Sequence, residues 1–475
     1  MSEWRCFNLL SEKEVDLIHS TMLKILDEIG FFVDNQEILK KLEEIGARVD
    51  YDKKRVYFSP KFVENFIDES EKVDWENLKP VVGYGVSLYH GWYLDPFDDK
   101  FKQLNTEIFL KYFKIAKNLS LPFGNTYAIK LPEVPEEHFL PYYHYLSLKF
   151  LGKPCSSINN IKWAELIIRL CEIYAEEKNI PLQNLINVLH VHFVSPLKFT
   201  REEAEIFLYF AKKGLKIGIG VMDVMGSTSP VTIAGSCALH LAQVMCSNII
   251  KRAILGEKGL RISCEISPLD MKTIVQCYGR PEKEIANVVM AQIARRYKAH
   301  FFAHTGHADA KTPGPEAGIQ KVVNSLPSLL AGKVAHICCG LLSIDEVYSP
   351  IQLVIDREIV EILKRIAKNE NVDEESIGFE TIKEVIEQGG SFLASEHTVR
   401  YFKKELFEPV LLTRDMFNVW KDKGMKKDID IAREIVFEAI NGEKIEPTIS
   451  QECENEILDT VYKYTNYKIK PVEPL

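Results

Sequence analysis

Residues 299–321 read Ala-His-Phe-Phe-Ala-His-Thr-Gly-His-Ala-Asp-Ala-Lys-Thr-Pro-Gly-Pro-Glu-Ala-Gly-Ile-Gln-Lys, and within them His304, His307, Asp309 and Lys311 bring two imidazoles, a carboxylate and an amine into one short stretch. Imidazoles titrate nearest to neutral pH and exchange protons or position a substrate, while the acid and the amine orient them or bind charge. The apolar run 299–303, bounded by polar residues and glycine, predicts a buried strand, and Pro313 to Gly318 supply turn residues ahead of a helix. The cluster therefore sits just past a strand, and in alternating β/α chains the carboxyl ends of strands collect the chemistry.

Stepping outward, the elements that must position this cluster follow one rhythm. Helical patterns at 106–117, 141–151, 161–175, 201–213, 233–255, 281–297, 314–331 and 352–368 alternate with short apolar runs at 124–129, 154–158, 186–193, 217–223, 261–264, 299–303 and 334–339. Seven or eight such repeats predict an α/β fold, specifically a (β/α)8 TIM barrel over 81–370. No G-x-G-x-x-G or P-loop pattern supports a doubly wound nucleotide fold instead. Ahead of the barrel, Ser11 and Glu14 spell a capping box for an amphipathic first helix, and helices over 36–45 and 60–69 with a strand or hairpin at 49–58 between them complete an N-terminal helical layer, 1–80. The aromatic stretch 81–101 reads as a β-hairpin region, and 371–475 as a polar, helical C-terminal cap.

Composition bounds the partners. The chain has 475 residues, 46% hydrophobic and 27% charged, with a formal net charge of −9. An acidic balance with only short lysine patches argues against a nucleic-acid partner. No apolar stretch of membrane-spanning length is expected, the first residues lack a signal-peptide pattern, and the reading is a cytoplasmic protein. The ten cysteines have no framework spacing and read as free thiols.

The residues just past the strands are small or hydroxyl-bearing: Asn159-Asn160, Ser195-Pro196, Gly226-Ser227-Thr228-Ser229-Pro230, Ser267 and Asp270, and Gly340 to Ser349. Such a rim lets a large flat ligand or a partner's backbone come close. Together with the opening Leu10-Ser11-Glu12-Lys13-Glu14, the Gly46-Ala47-Arg48-Val49 turn, Gly226 to Gly235, Asp309-Ala310-Lys311 with Ala317-Gly318, and Gln352-Leu353-Val354-Ile355-Asp356, it resembles the trimethylamine methyltransferase family over nearly the whole chain. The resemblance implies a (β/α)8 enzyme that moves a methyl group from a methylated amine to the Co(I) cobalamin of a separate corrinoid protein. Archaeal trimethylamine members carry pyrrolysine near the Asp-Ala-Lys segment, closest to His307 in this chain, where every residue is a standard one. Members without pyrrolysine act on quaternary amines such as glycine betaine, so the resemblance implies that branch. A quaternary ammonium already has a neutral leaving group and needs alignment and desolvation rather than an added electrophile.

On this reading His307, Asp309 and Lys311 are the catalytic candidates. His304, Trp92, Tyr93 and Tyr348 bind substrate, the aromatics as a cage worth ~0.5 to 2 kcal/mol per face. Gly226, Ser227, Thr228, Ser229, Ser267 and Asp270 meet the corrinoid, no metal is called for, and the protein is expected to be a homo-oligomer. His307 is expected to donate a hydrogen bond to a carboxylate on the substrate. The chain departs from the family at Tyr89-His90-Gly91-Trp92-Tyr93, where a glycine-rich strand end is usual, and at Ile351, where a glutamate is common. Two alternatives remain: a zinc-dependent methyltransferase or hydrolase using His304, His307, Cys264, Cys338 or Cys339, and a binding module that senses a methylated ligand or docks a corrinoid protein. The zinc reading meets an objection, since His-x-x-His on an extended strand end sends its rings to opposite faces.

Overall fold

The computed structural model describes residues 6–475 except 90, 128, 159, 369 and 371, so His90 and Asn159 of the sequence reading lie outside the described residues. Its architecture is mixed α/β. Four parallel pairings carry the site: Val81–Leu88 with Phe123–Thr126, His190–His192 with Gly218–Gly220, Arg261–Cys264 with His300–Ala303, and Val334–Cys339 back with Val81–Leu88. Single contacts link the groups. Ser156 N donates to Thr126 O at 2.7 Å, and Thr305 Oγ1 donates to His336 O at 2.7 Å. The ladders stand as separate two- and three-stranded sheets.

Neighbours in sequence are thus neighbours in space, and the last strand returns to the first. Val81 lies opposite Val334 and Val86 opposite Cys339. The sequence reading of 81–101 as a hairpin region is corrected here. Val81–Leu88 is a parallel strand in its own right, and only Trp92–Leu94 and Phe101–Gln103 form the hairpin, around a turn in which Asp95 Oδ1 accepts from Phe97 N at 2.9 Å. Aromatic content marked the region as β but could not tell a parallel strand from an antiparallel one.

Helices fill the connections nearly as their periodicity predicts, at Thr106–Asn118, Phe139–Leu151, Ile161–Lys178, Arg201–Lys212, Ile233–Leu255, Pro281–Tyr297 and Pro350–Ala367. Asn105 and Asn160 cap two of them with side-chain oxygens. The helix expected over 314–331 is two, Pro315–Val323 and Leu326–Gly332. Pro327 cannot donate within a continuous helix, and the Asn324 side chain turns away to bond the site loop.

Ile233–Leu255 is long and apolar enough to cross a membrane, contrary to the expectation that no stretch approaches that length, and most of it is buried inside the protein. It packs against Glu12–Lys24, the first helix, whose Ser11–Glu14 capping box forms with Ser11 N donating to Glu14 Oε2 at 2.8 Å. The N-terminal layer also holds strands. Arg48–Asp50, Arg55–Tyr57 and Phe31–Val33 form a sheet that takes up Lys198–Phe199, tying the layer to the middle of the chain.

At the other end, Gln451–Thr465 packs on Ile161–Lys178. It is anchored by Glu454, whose carboxylate accepts from the buried Lys149 at 2.5 Å and from the Tyr145 hydroxyl. Leaving either charge of that pair alone would cost about 3 to 5 kcal/mol.

Candidate functional site

Side chains alternate across a strand, so every second residue of each parallel strand faces the space they enclose. His190 and His192, Ser263 and Glu265, Phe302 and His304, and His336 and Cys338 all line one cavity of about 600 Å³. Facing positions elsewhere are glycine, and this hollows the interior. A Cβ at Gly220 would lie 2.5 Å from His192 Cδ2, one at Gly83 2.7 Å from His336 Nδ1, and one at Gly124 2.7 Å from Ser87 Oγ. An interior that large side chains would ordinarily fill is left open.

At the carboxyl end of the strands the cavity is walled by Tyr89, Tyr127, Tyr278, Glu265, His304, His307 and Asp345. The Tyr89 and Tyr127 rings stand 4.5 Å apart, and Tyr278 lies 5.1 Å from His304 and 5.0 Å from His307. His304 and His307 are stacked, 3.8 Å between centroids. The expected divergence of His-x-x-His does not occur, because Gly306 turns the chain at φ +73°. A side chain there would meet His336 O at 2.5 Å and Ile337 Cα at 2.6 Å, so the turn demands glycine. Asn324 fixes it, accepting from Gly306 N and donating to His307 O, both at 2.7 Å.

Asp345 arrives from a loop in which Ser343, Ile344 and Asp345 all have positive φ, 53°, 57° and 69°. A β-branched residue such as Ile344 pays about 1 to 3 kcal/mol for that conformation, and such strain collects at functional sites. Backbone bonds from Ser343 N to Ala310 O and from Ile344 N to Ala308 O, 2.8 and 3.0 Å, hold the loop against the histidine segment. Asp345 Oδ1 then lies 2.8 Å from His307 Nδ1.

Burial keeps both imidazoles neutral, with His304 and His307 held well below the ordinary histidine value. A carboxylate can only accept, so His307 Nδ1 carries the proton and donates it to Asp345. Nε2 is left as an unprotonated lone pair, buried and without a hydrogen-bond partner. The expected role of His307 as a donor to a substrate carboxylate is therefore corrected: this tautomer accepts. Glu265, also in the wall, has its carboxyl pushed up by burial.

The other candidates fall in three groups. Asp309 accepts from Tyr278 N at 2.6 Å and Gly279 N at 2.9 Å, so it holds Tyr278 in the wall instead of orienting the histidines. Lys311 is exposed and donates to Asp309 O at 2.7 Å, outside the cavity lining. Trp92 and Tyr93 are adjacent on one strand and point to opposite faces. Trp92 is half exposed and lines a neighbouring depression shared with Tyr89 and Tyr127, while Tyr93 and Tyr348 are buried against Tyr112, at 6.5 and 6.0 Å. Tyr348 is the cross-strand partner of Tyr93, and Trp92 points away from that pair on the opposite face.

At the rim, Gly226 turns at φ +88° and its N donates to Ser229 O at 3.0 Å. Thr228 Oγ1 accepts from Val224 N and Ser229 Oγ bonds Ser236 Oγ, so these hydroxyls staple the turn while Gly226 and Ser227 stay exposed. Ser267 is buried in the neighbouring strand, and Asp270 caps its own turn through Lys272 N and Thr273 Oγ1. Val231 and Met271 lie beside Gly226, and Ile274 follows in the turn after Asp270; each is about two-thirds exposed.

Sequence reading missed Glu265, Asp345, Tyr278, Tyr89 and Tyr127 as site residues. The available signal was polar residues recurring every second position inside apolar strands, as in His190/His192 and Ser263/Glu265. For a metal, His304, His307 and Asp345 each bring one ligand atom within 4.8 Å of the others. The thiols suit one less well, since burial pushes Cys264 and Cys338 up to about 12 and keeps them protonated. Gln352 and Asp356 brace the site from behind. Asp356 pairs with the buried Lys321 at 2.6 Å and accepts from Gly340 N at 2.7 Å, and Gln352 donates to it at 2.8 Å.

Comparison with known proteins adds the ancestry. The family model described as trimethylamine methyltransferase (MTTB) matches residues 1–73 and 137–467, leaving out the stretch that holds the departures at Tyr89 to Tyr93. A glycine betaine methyltransferase of Desulfitobacterium hafniense is 25% identical over 88% of this chain and 90% of its own length. A trimethylamine methyltransferase of Methanosarcina thermophila is 27% identical over 53% of this chain, an alignment spanning about half of that relative. A solved structure, the hydroxylamine MtmB complex, covers 94% of this chain and 92% of its own at 10% identity with a TM-score of 0.42, too distant to carry an argument. Matched over most of its length by the family model, the chain belongs to the trimethylamine methyltransferase family.

Proposed function

We propose that this protein is a methyltransferase that takes a methyl group from a quaternary, betaine-like amine and passes it to the cobalamin of a corrinoid partner, on a (β/α)8 barrel over 81–370 between the segments 1–80 and 371–475. The observation that carries it is the glycine-hollowed cavity whose upper wall is Tyr89, Tyr127 and Tyr278 with Glu265 and Asp345. Aromatic faces and carboxylates attract a cation that has no proton to donate. Support for the barrel comes from parallel pairing in sequence order and its return from Val334–Cys339 to Val81–Leu88. The relatives named for glycine betaine and trimethylamine support a methylated amine as substrate.

The partner's reduced cobalt supplies the nucleophile. The residues here do the rest. Tyrosine rings and carboxylates hold the ammonium with one methyl toward the rim, and the dry wall removes its hydration. The C–N electron pair stays with nitrogen, so the departing tertiary amine needs no proton during transfer. Neutral His307, oriented by Asp345, sets no competing positive charge beside the ammonium. The exposed turn at Gly226 and Ser227, with Val231, Met271 and Ile274, fits a flat macrocycle edge pressed on the rim.

A homo-oligomer is part of this reading. Ile377, Phe379, Ile386, Leu393, Val399 and Leu406 are each 57% to 84% exposed on the amphipathic helices of 374–406. These exposed apolar side chains call for a cover, and a second copy is the occupant.

Mixing the protein with reduced corrinoid protein and a quaternary amine tests the reading, with methyl-cobalt formation as the readout. A second reading, a metal-dependent methyltransferase, draws on the His304, His307 and Asp345 triad. Metal analysis of the purified protein separates the two.

A further inference from the structure

The cavity holds carboxyl groups at one end and amines with a guanidinium at the other. Glu265 and Asp345 stand at the aromatic end, and Lys153, Lys251 and Arg261 line the same cavity at the other. Arg261 begins the strand Arg261–Cys264, and Glu265 follows it directly on the same alternating face. At about 3.3 Å per residue, the two levels are about 13 Å apart.

Lys251 comes from the last turns of Ile233–Leu255, where burial lowers its amine, Glu257 opposes that and the nearby charge of Arg261 adds a smaller lowering. The carboxylate facing it, Glu257, is 3.9 Å away. Lys153 donates at 2.6 Å to the Phe123 carbonyl, a neutral acceptor. Burial pulls Lys153 down to about 8 and Lys251 in the same direction. A buried amine lowered in this way is short of compensating negative charge. Methyl transfer at the aromatic end uses none of the three.

We infer that Lys153, Lys251 and Arg261 form an anion-binding floor that takes the carboxylate of a zwitterionic substrate whose trimethylammonium occupies the aromatic end. The inference rests on the quaternary-amine reading above and adds a length to it. Lysine and arginine side chains close part of the gap between levels. A betaine with a single methylene between its charges still falls short of touching both ends. Each added methylene lengthens the ligand by roughly 1.3 Å, so three more add about 4 Å toward the gap and a longer spacer fits it better than the shortest. The floor makes spacer length the specificity determinant.

The test is calorimetric titration of the full-length protein with trimethylammonium carboxylates of one to five methylenes, with tetramethylammonium and with butyrate, repeated on Lys251→Met and Arg261→Met. Affinity is expected to rise at least tenfold from one methylene to about four. Both substitutions should abolish that rise and leave tetramethylammonium binding unchanged. Equal affinity along the series in the unaltered protein, or a rise that survives both substitutions, overturns the floor. Two results separate it from the reading beneath it. If butyrate binds and loses affinity in the variants while no quaternary ammonium binds, the floor stands and the quaternary-amine reading falls. If tetramethylammonium and the shortest betaine bind as tightly as every longer one, the quaternary-amine reading stands and the floor falls.

Discussion

At the scale of single residues, the site depends on one imidazole and the carboxylate that fixes its tautomer. His307 is buried, stacked on His304 and bonded through Nδ1 to Asp345, and its Nε2 is buried without a hydrogen-bond partner. His307→Ala should lower kcat/KM for a betaine-like substrate by on the order of 2 to 4 kcal/mol with little change in melting temperature. Steady-state kinetics and thermal melts of the one variant decide it, since a protein that unfolds returns His307 to the core.

Much of this residue was legible: strand-end position, histidine chemistry and a neighbouring glycine are all in the sequence. Its partner was not. Asp345 lies 38 positions away on a loop of left-handed residues that no local pattern marks. The sequence reading assigned the orienting role to Asp309, the acid nearest in the chain. In the fold that carboxylate is consumed by two backbone donors, Tyr278 N and Gly279 N.

At the scale of elements, the strands build the site by what they omit. Glycines 83, 124 and 220 face neighbouring strands so closely that even a methyl group would displace an inward side chain. Gly220→Ala would put its Cβ 2.5 Å from His192 Cδ2 and force that imidazole toward the cavity. Overpacking of this kind costs about 1 to 3 kcal/mol. We expect KM for a long betaine to rise on the order of tenfold while kcat changes less, the conversion from energy to affinity being about 1.4 kcal/mol per decade. An unchanged KM would show that the lumen at this level does not hold substrate.

Helix positions were readable because 3.6-residue periodicity is local, and six helices both start and stop within two residues of expectation. The first parallel strand was not, because Val81–Leu88 finds its partner Val334–Cys339 some 250 positions away and carries the same β-forming residues a hairpin would.

At the scale of the whole molecule, the amphipathic helices of 374–406 decide how the protein associates. Their apolar faces are uncovered in the single chain, with Leu393 84% and Ile386 70% exposed. Light scattering coupled to size exclusion should give at least a dimer at micromolar concentration, and Ile386→Glu with Leu393→Glu should reduce it to one chain with unchanged helical content. A monomeric parent protein would remove the oligomer from the account.

The first parallel strand was not foreseen from sequence and the apolar run 154–158 forms no strand, whereas the capped helices and most of the parallel strands were foreseen. The cavity was not, because its emptiness is a property of facing glycines from different strands and no single stretch records it.

The central claim is methyl transfer from a quaternary amine, and one measurement meets it head-on: the rate of methyl-cobalt formation when the purified protein and a corrinoid partner reduced to Co(I) are given either a carboxylate-bearing quaternary amine or trimethylamine. The account predicts rapid methylation with the quaternary amine and none with trimethylamine, which would call for an added electrophile that the standard residues of this chain do not supply. Trimethylamine turned over at a rate matching the best quaternary amine would contradict it.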